Sequence, residues 1–188
     1  SVIVSAVTLK LPPVVAILIA VVVCAALGVT IEFLAYRPLR QSPPLAVLIT
    51  AIGVSYLLQN LALLIFGPEQ KSTPALFDLP SLTLGGVTVD GITLLTLGVT
   101  AAIMVGLTLF INLTRMGKAM RAVSEDRDAA ELMGISVNKT ITITFAIGSA
   151  LAAVASVFFG ATYTYIKPTT GSMPGIKAFT AAVFGGIG

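Results

Sequence analysis

The sequence predicts an all-α fold, a polytopic bundle of transmembrane helices, and three observations support this prediction. Only 10% of the residues are charged and 56% are hydrophobic, whereas about 25% of a typical soluble domain is charged. The charged residues are clustered, so four long runs carry almost none. Each run is close to the roughly 20 apolar residues with which a helix crosses the bilayer core. We expect four full spans and the start of a fifth, at about residues 14–35, 45–66, 92–113, 141–165 and 178–188 onward.

Prolines mark the ends of the first two predicted spans. Pro12–Pro13 suits the start of the first span, where a missing backbone N–H costs little, and Pro38 stops that span within a short basic turn. Pro43–Pro44 precedes the second span, and Gly67–Pro68 closes it. We therefore expect two separate helices joined by a short turn.

Residues 67–91 form the first substantial loop. Its prolines and turn-forming residues predict an irregular path. Near its end, β-prone residues flank Gly85–Gly86, which favours a small β-hairpin over residues 83–89. An open sheet edge is not tolerated in lipid, so this hairpin must lie in water.

The last two predicted spans differ in composition from the first two. Residues 141–165 are rich in Ala, Gly and Ser, which lets helices approach closely and favours a position inside the bundle. A short Pro- and Gly-containing loop follows, and the chain then re-enters an apolar run. Because the chain opens on Ser1 within an apolar stretch and stops within another, we expect a single transmembrane domain over residues 1–188 that is truncated at both ends.

The distribution of Lys and Arg predicts the orientation of the spans. Seven of these residues lie in the 36–40 turn and the 115–140 loop, and the other four lie in the loops on the opposite side. Cytoplasmic loops carry an excess of positive charge. The 115–140 loop is therefore expected in the cytoplasm, and the 67–91 loop outside it, in a multi-pass protein of the cytoplasmic (inner) membrane.

The 115–140 loop is the most charged part of the chain, with five positive and four negative residues. Its apolar residues recur at spacings of three and four, which predicts two short amphipathic helices. Ser124 is a candidate N-cap of the second helix, and Gly134 a candidate stop. Such a helix suits docking into a groove of a soluble partner. It could equally lie along the bilayer surface or simply connect two spans.

Residue types also limit the chemistry that the fragment can perform. It contains no His and only one cysteine, Cys24, which is expected to be a small apolar residue inside a helix. We predict no catalytic residues, no metal site, no cofactor and no nucleic-acid partner. No GxxxxGK[ST] motif occurs, so the chain is expected to lack an ATP site of its own. Glu32, at the edge of the first span, is the one carboxylate within the four full spans, and we expect it to pair with Arg37 or Arg40.

A few residues inside the predicted spans are candidates for lining a translocation path. Polar groups in a membrane are costly unless they are satisfied. Interhelical hydrogen bonding is the alternative explanation for those in the second span, and close helix approach or a helix break explains the glycines at the chain end. The path candidates are Ser55, Gln59, Asn60, Gly185 and Gly186.

The segment 128–134, DAAELMG, resembles the EAA-x-x-x-G signature of ABC importer permeases, with Asp in place of the leading Glu. Five segments, taken in order along the chain, resemble the branched-chain amino-acid permease family of the LivH type. They are IEFLAYRPLR (31–40), LITAIGVSYLLQN (48–60), RMGKAMRAVSEDRDAAELMGI (115–135), ITFAIGSALAAVA (143–155) and GIKAFTAAVFGGIG (175–188).

The resemblance implies a role for the cytoplasmic loop in coupling to ATP-hydrolysing subunits. Ala129 and Ala130 would be small so that the helix can approach the ATPase, and Gly134 would end it. The candidate polar contacts would be Arg121, Glu125, Asp126 and Asp128.

The resemblance also implies a function. The chain would be the permease subunit of an importer for Leu, Ile and Val, assembled with a second permease and two ABC ATPase subunits in the lipid bilayer. An extracytoplasmic solute-binding protein would deliver the small neutral amino acid. The uncharged spans would equally suit urea or short amides. An ion-coupled secondary transporter is a further alternative, although it would usually need carboxylates within the membrane.

Overall fold

The computed structural model describes residues 13–40, 42–69, 71–72, 82–84, 87–163 and 165–185. These residues are predominantly helical, as the sequence predicts. The helices are α1 (Pro13–Ile31), α2 (Pro44–Phe66), α3 (Gly91–Leu113), α4 (Arg115–Glu125), α5 (Arg127–Leu132), α6 (Val137–Thr162) and α7 (Ser172–Gly185), and a π-helical turn, Glu32–Tyr36, extends α1.

Four helical segments are long and apolar enough to cross a membrane, namely Ile17–Tyr36, Leu45–Phe66, Gly91–Leu113 and Val137–Thr162. This result confirms the all-α, polytopic prediction. The fourth segment begins four residues before the predicted start, at Val137, because polar residues such as Asn138 and Lys139 remain helical beyond the apolar run. The last helix likewise begins at Ser172 rather than 178, since a helix tolerates proline in its first turn and Pro174 lies there.

The β-structure is limited to two short pairs in the described part of the chain. Strand β1 (Lys71–Ser72) pairs antiparallel with β4 (Tyr165–Ile166). At the predicted hairpin, β2 (Leu82–Leu84) pairs antiparallel with β3 (Val87–Val89). Gly85 and Gly86 lie outside the described residues. Pairs of two or three residues are too small to form a sheet of the fold, which is therefore helical throughout its core.

The contacts divide the chain into two compact units. The first combines residues 1–74 with residues 145–188, and the second comprises residues 75–144. The first unit therefore holds α1, α2, most of α6 and α7, whereas the second holds α3, α4, α5 and the start of α6.

In the first unit, α1 and α6 approach each other through small residues. Gly28 is buried, and a Cβ added to it would lie 2.6 Å from the Cβ of Ser149 and 3.3 Å from the carbonyl oxygen of Phe145. Ala20 of α1 and Ala153 of α6 are also buried. Small side chains at such a contact allow the helix backbones to come close together.

The end of α1 is a π-helical turn held by side chains. The backbone N–H of Arg37 donates to the carbonyl of Glu32, 2.8 Å away, which closes the wider turn. The Glu32 side chain is only 1% exposed and forms an ion pair with Arg40, so the predicted local ion pair is confirmed. The Tyr36 ring packs on Phe145, with 5.0 Å between the ring centroids.

Candidate functional site

The predicted coupling loop begins at a sharp corner between α3 and α4, and Thr114 forms this corner. Its backbone is extended (φ −89°, ψ 152°), which ends α3. The Thr114 hydroxyl donates to the carbonyl of Phe110 at 2.7 Å and accepts from the backbone N–H of Gly117 at 3.0 Å. One side chain thus bonds to the last turn of α3 and caps the first turn of α4.

Two further contacts hold α4 against the end of α3. A Cβ added to Gly117 would lie 2.6 Å from the carbonyl carbon of Ile111, and closer still to the Ile111 Cα and oxygen, so only glycine fits. Arg121, one turn further along α4, donates from Nη1 to Oδ1 of Asn112 at 3.0 Å. The predicted ATPase contact Arg121 is therefore engaged within the chain.

Helix α4 is amphipathic, as predicted. Gly117 and Val123 are buried, whereas Arg115, Lys118 and Arg121 are exposed. The apolar residues between them are half-buried. The apolar stripe is therefore used in packing, and the charged stripe faces out.

Helix α5 is short and is capped at both ends by its own chain. Asp126 has an extended backbone, and its Oδ1 accepts from the N–H groups of Asp128 and Ala129 at 2.9 and 3.1 Å. The predicted N-cap Ser124 is wrong. Helix α4 continues to Glu125, so Ser124 is still helical, and its hydroxyl donates to the carbonyl of Arg121.

Gly134 ends α5, as predicted, with φ at +81°. The N–H of Gly134 donates to the carbonyl of Glu131 at 2.9 Å, and the N–H of Ile135 donates to that of Ala130 at 3.0 Å. These two bonds make a Schellman motif, whose left-handed residue is usually glycine because a Cβ is unfavourable there. The helix direction and the exit of the chain are thereby fixed.

The surface of α5 differs from a simple amphipathic pattern. Leu132 and Met133 are 89% and 83% exposed, whereas Ala130 is 3% exposed. Residues two apart on a helix point about 160° away from each other, so Ala130 and Leu132 cannot share a buried face. Of the two predicted close-approach alanines, Ala129 is exposed and Ala130 packs inside the chain.

The exposed apolar pair Leu132–Met133 was not singled out from the sequence. The spacing of apolar residues placed both on the packed face of the helix. Gly134 could have identified them. It ends α5 after six residues, and so short a helix does not bury residues on opposite faces. Around the pair, the predicted contacts Glu125 and Asp128 are exposed.

The path candidates in α2 form hydrogen bonds within their own helix. Gln59 donates from Nε2 to Oγ of Ser55 at 3.2 Å, and Asn60 donates from Nδ2 to the carbonyl of Tyr56 at 2.8 Å. Each bond joins residues four apart, so one N–H of each amide is satisfied without a neighbouring helix. Gly185 is the last residue of α7, and Gly186 lies outside the described residues.

Metal binding has little basis in the residues that the structure describes. Among them, no three His, Cys, Asp or Glu side chains come together to hold a metal ion. The four acidic residues of 125–131 lie on exposed helix surface and at a cap rather than around a shared centre. Residues 125–131 therefore present an exposed helix surface rather than a metal site.

The sequence matches a family model described as the permease component of branched-chain amino acid transport systems, over residues 1–188. It is 46% identical over 172 residues to the high-affinity branched-chain amino acid transport permease BraD of Pseudomonas aeruginosa, covering 89% of this chain and 56% of the relative. It is 43% identical over 176 residues to LivH of Escherichia coli K12, covering 90% and 56%.

A more distant relative transports a different solute, according to its name. The autoinducer 2 import system permease LsrC of Klebsiella pneumoniae is 35% identical over 77 residues, covering 41% of this chain and 22% of the relative. No solved structure matches the chain.

The chain spans about 56% of the length of the branched-chain amino acid permeases that it matches. With its apolar helices and a family match along its whole length, the chain belongs to the membrane-embedded permease components of branched-chain amino acid transport systems.

Proposed function

We propose that the full-length protein is the membrane-spanning permease subunit of an ABC importer for Leu, Ile and Val. Its relatives bear names that specify this transport. ATP hydrolysis takes place in partner subunits, and the permease is not itself an enzyme. The observation that carries the proposal is the doubly capped helix α5, which holds Leu132 and Met133 in an exposed position beside acidic side chains.

Exposed large apolar side chains on a charged loop favour protein contact over contact with water. A Leu or Met side chain that becomes fully buried contributes about 1.5–3 kcal/mol. Two such residues, held in place by a capped helix, form a compact anchor for a groove in a soluble partner. We assign that partner as an ABC ATPase subunit, with Ala129, Glu125 and Asp128 beside the anchor at the contact.

The complete transporter contains two ATPase subunits, a second permease and an extracytoplasmic solute-binding protein. In this arrangement residues 115–140 face the cytoplasm and residues 67–91 face outward. The excess of Lys and Arg in the first of these loops supports this orientation. The ATPase subunits then act on the permease through α5, and the solute enters from the opposite side of the membrane.

The solute path must be largely apolar, which suits the side chains of branched-chain amino acids. Ser55, Gln59, Asn60, Gly185 and Gly186 remain path candidates. The hydrogen bonds inside α2 are compatible with a path that carries no fixed charge. The LsrC relative favours a second candidate, the same importer type acting on another small neutral solute.

Purification of the full-length permease with its ATPase subunits tests the partner assignment. The double variant Leu132→Ser with Met133→Ser should reduce ATPase recovery at least tenfold, from the loss of two buried apolar side chains. Lys118→Ser, at an exposed residue of α4, is the matched control and should leave recovery unchanged. Full recovery with the double variant would remove the anchor from the proposal.

Uptake into proteoliposomes tests the solute. With the binding protein and ATP present, labelled leucine should accumulate and urea or a short amide should not. Uptake of an amide in preference to leucine would favour the second candidate. Leucine uptake that depends on an ion gradient and does not depend on ATP would instead indicate a secondary transporter.

A further inference from the structure

The corner at Thr114 joins α3, a candidate membrane span, to α4, the first helix of the coupling loop. Three separate contacts close this corner, and all of them lie within residues 110–121. We infer that Asn112, Gly117 and Arg121 are positioning residues that make α3 and α4 move as one body. A displacement of α5 by an ATPase subunit is then passed to the α3 span with little loss. This inference rests on the proposed function.

The contact at Gly117 is the most rigid of the three. The atoms that an added Cβ would meet are the Cα, carbonyl carbon and oxygen of Ile111, all of them backbone. A side chain can change rotamer to relieve such a contact, but a backbone inside a helix cannot. The distance between α4 and the end of α3 is therefore set by the absence of a side chain at residue 117.

The hydrogen bonds act at either end of that contact. Thr114 ties the first turn of α4 to Phe110, and Arg121 reaches back to Asn112 from the second turn. Hydrogen bonds that involve a charged donor are stronger than neutral ones. Together with Gly117 they restrict both bending at Thr114 and rotation of α4 about its own axis. Arg121 accordingly serves the corner rather than the ATPase surface.

The junction between α4 and α5 is also held from both sides. A single extended residue, Asp126, connects the two helices. Its backbone N–H donates to the carbonyl of Ala122 in α4 at 3.1 Å, and its carboxylate accepts from the N–H groups of Asp128 and Ala129 in α5. A displacement of α5 therefore reaches the α3 span through α4.

The experiment measures ATP hydrolysed per leucine imported by the complete transporter, reconstituted with its binding protein. Gly117→Ala should raise this ratio about fivefold or more, while the ATPase subunits remain bound. Alanine favours helix more than glycine, so α4 itself stays helical. Gly106→Ala in α3 is the matched control, because a Cβ added there meets no atom within 4 Å in this chain, and its ratio should stay at the wild-type value.

A second set of variants separates positioning from partner contact at Arg121. Asn112→Leu and Arg121→Gln should each raise the ratio about fivefold, the equivalent of one lost hydrogen bond. The double variant should be no worse than either single one, since both remove the same interaction. Asn112→Asp keeps the acceptor and should retain normal coupling. Additive losses, or an effect of Arg121→Gln with none of Asn112→Leu, would overturn the assignment.

A distance measurement tests the geometry independently of transport. In a Cys24→Ser background, spin labels at Leu109 and Ser124, both exposed, report the separation of α3 and α4. Gly117→Ala should shift or broaden this distance, and Gly106→Ala should not. An unchanged distance, or a shifted distance with normal coupling, would refute the inference that α3 and α4 move as one body. Failure of the unmodified full-length protein to bind any ATPase subunit would instead refute the proposed function.

Discussion

Two turns that follow membrane spans are closed by different means. The turn after α1 is held by side chains: Glu32 pairs with Arg40, Tyr36 packs on Phe145, and Ser149 fills the space beside Gly28. In the segment from 114 to 134, most contacts have a backbone group on at least one side. Two N-cap side chains accept from backbone N–H groups, a Schellman motif ends α5, and Gly117 packs against the backbone of Ile111. A contact between side chains can be rebuilt by changing both partners, whereas a backbone contact cannot. The first region is therefore expected to tolerate paired changes and the second to resist them.

The largest effect is expected at the buried ion pair. Arg40→Ala would leave the buried Glu32 carboxylate without the Arg40 charge, and breaking a buried pair costs about 3–5 kcal/mol. Replacing both residues with apolar ones, Glu32→Leu with Arg40→Met, should recover most of that loss. Denaturant titration of the full-length protein in detergent measures both changes in the free energy of unfolding.

Arg37 provides the control for this change. Its guanidinium lies over the Phe33 ring, 5.0 Å from the centroid, and the side chain is exposed. Arg37→Ala should cost only about 0.5–1 kcal/mol. Equal losses at Arg37 and Arg40 would show that burial of the pair does not govern this turn.

The second prediction concerns the contact between α1 and α6. Gly28→Ala places a Cβ against the Ser149 side chain, and overpacking of this kind costs about 1–3 kcal/mol. Adding Ser149→Gly removes the clashing side-chain atoms, and the next nearest atom is the Phe145 carbonyl oxygen, at 3.3 Å from the new Cβ. Thermal unfolding should show a lowered midpoint for the single variant and recovery for the double. A double variant as unstable as Gly28→Ala would mean that the backbones, not the side chains, set this contact.

The sequence predicted most of the fold because span length and hydropathy are local properties. Residues 45–66 and 92–113 match the observed helices to within one residue, since an apolar run bounded by proline or charge leaves little choice. The helical stop at Gly134 was equally clear, as few residues other than glycine adopt φ of +81°.

Features that depend on contacts distant from the local pattern could not be predicted. Ser124 and Asp126 are both good N-cap residues, and only the length of α4 decides between them. Gly117 looked like any helix glycine, because the backbone that it meets belongs to another helix. The exposure of Leu132 and Met133 likewise depends on how α5 packs, which the spacing of apolar residues does not determine.

The third prediction tests a closure made by backbone alone. Gly134→Ala forces a side chain into the left-handed region, at a cost of about 1–2 kcal/mol. Gly134→Asn should cost less, because asparagine tolerates this region better. A cysteine placed at Ala130, which is only 3% exposed, should react faster with a water-soluble maleimide in the alanine variant, as the end of α5 frays. Equal reactivity in the unmodified protein, the alanine variant and the asparagine variant would mean that the Schellman motif does not order the end of α5.

The smallest effect distinguishes two roles for Asp126. As an N-cap, its carboxylate bonds to the N–H groups of Asp128 and Ala129, and loss of such a cap costs about 1 kcal/mol. Asp126→Ala should therefore weaken ATPase binding modestly by loosening α5, and Asp126→Ser should restore binding because serine is also a good cap. If Asp126 instead makes a charge contact with the ATPase, the serine and alanine variants should lose ATPase binding equally. Binding of the ATPase subunits to the three proteins, measured at low and high salt, separates the two roles, because a charge contact weakens with salt and a cap inside the chain changes much less.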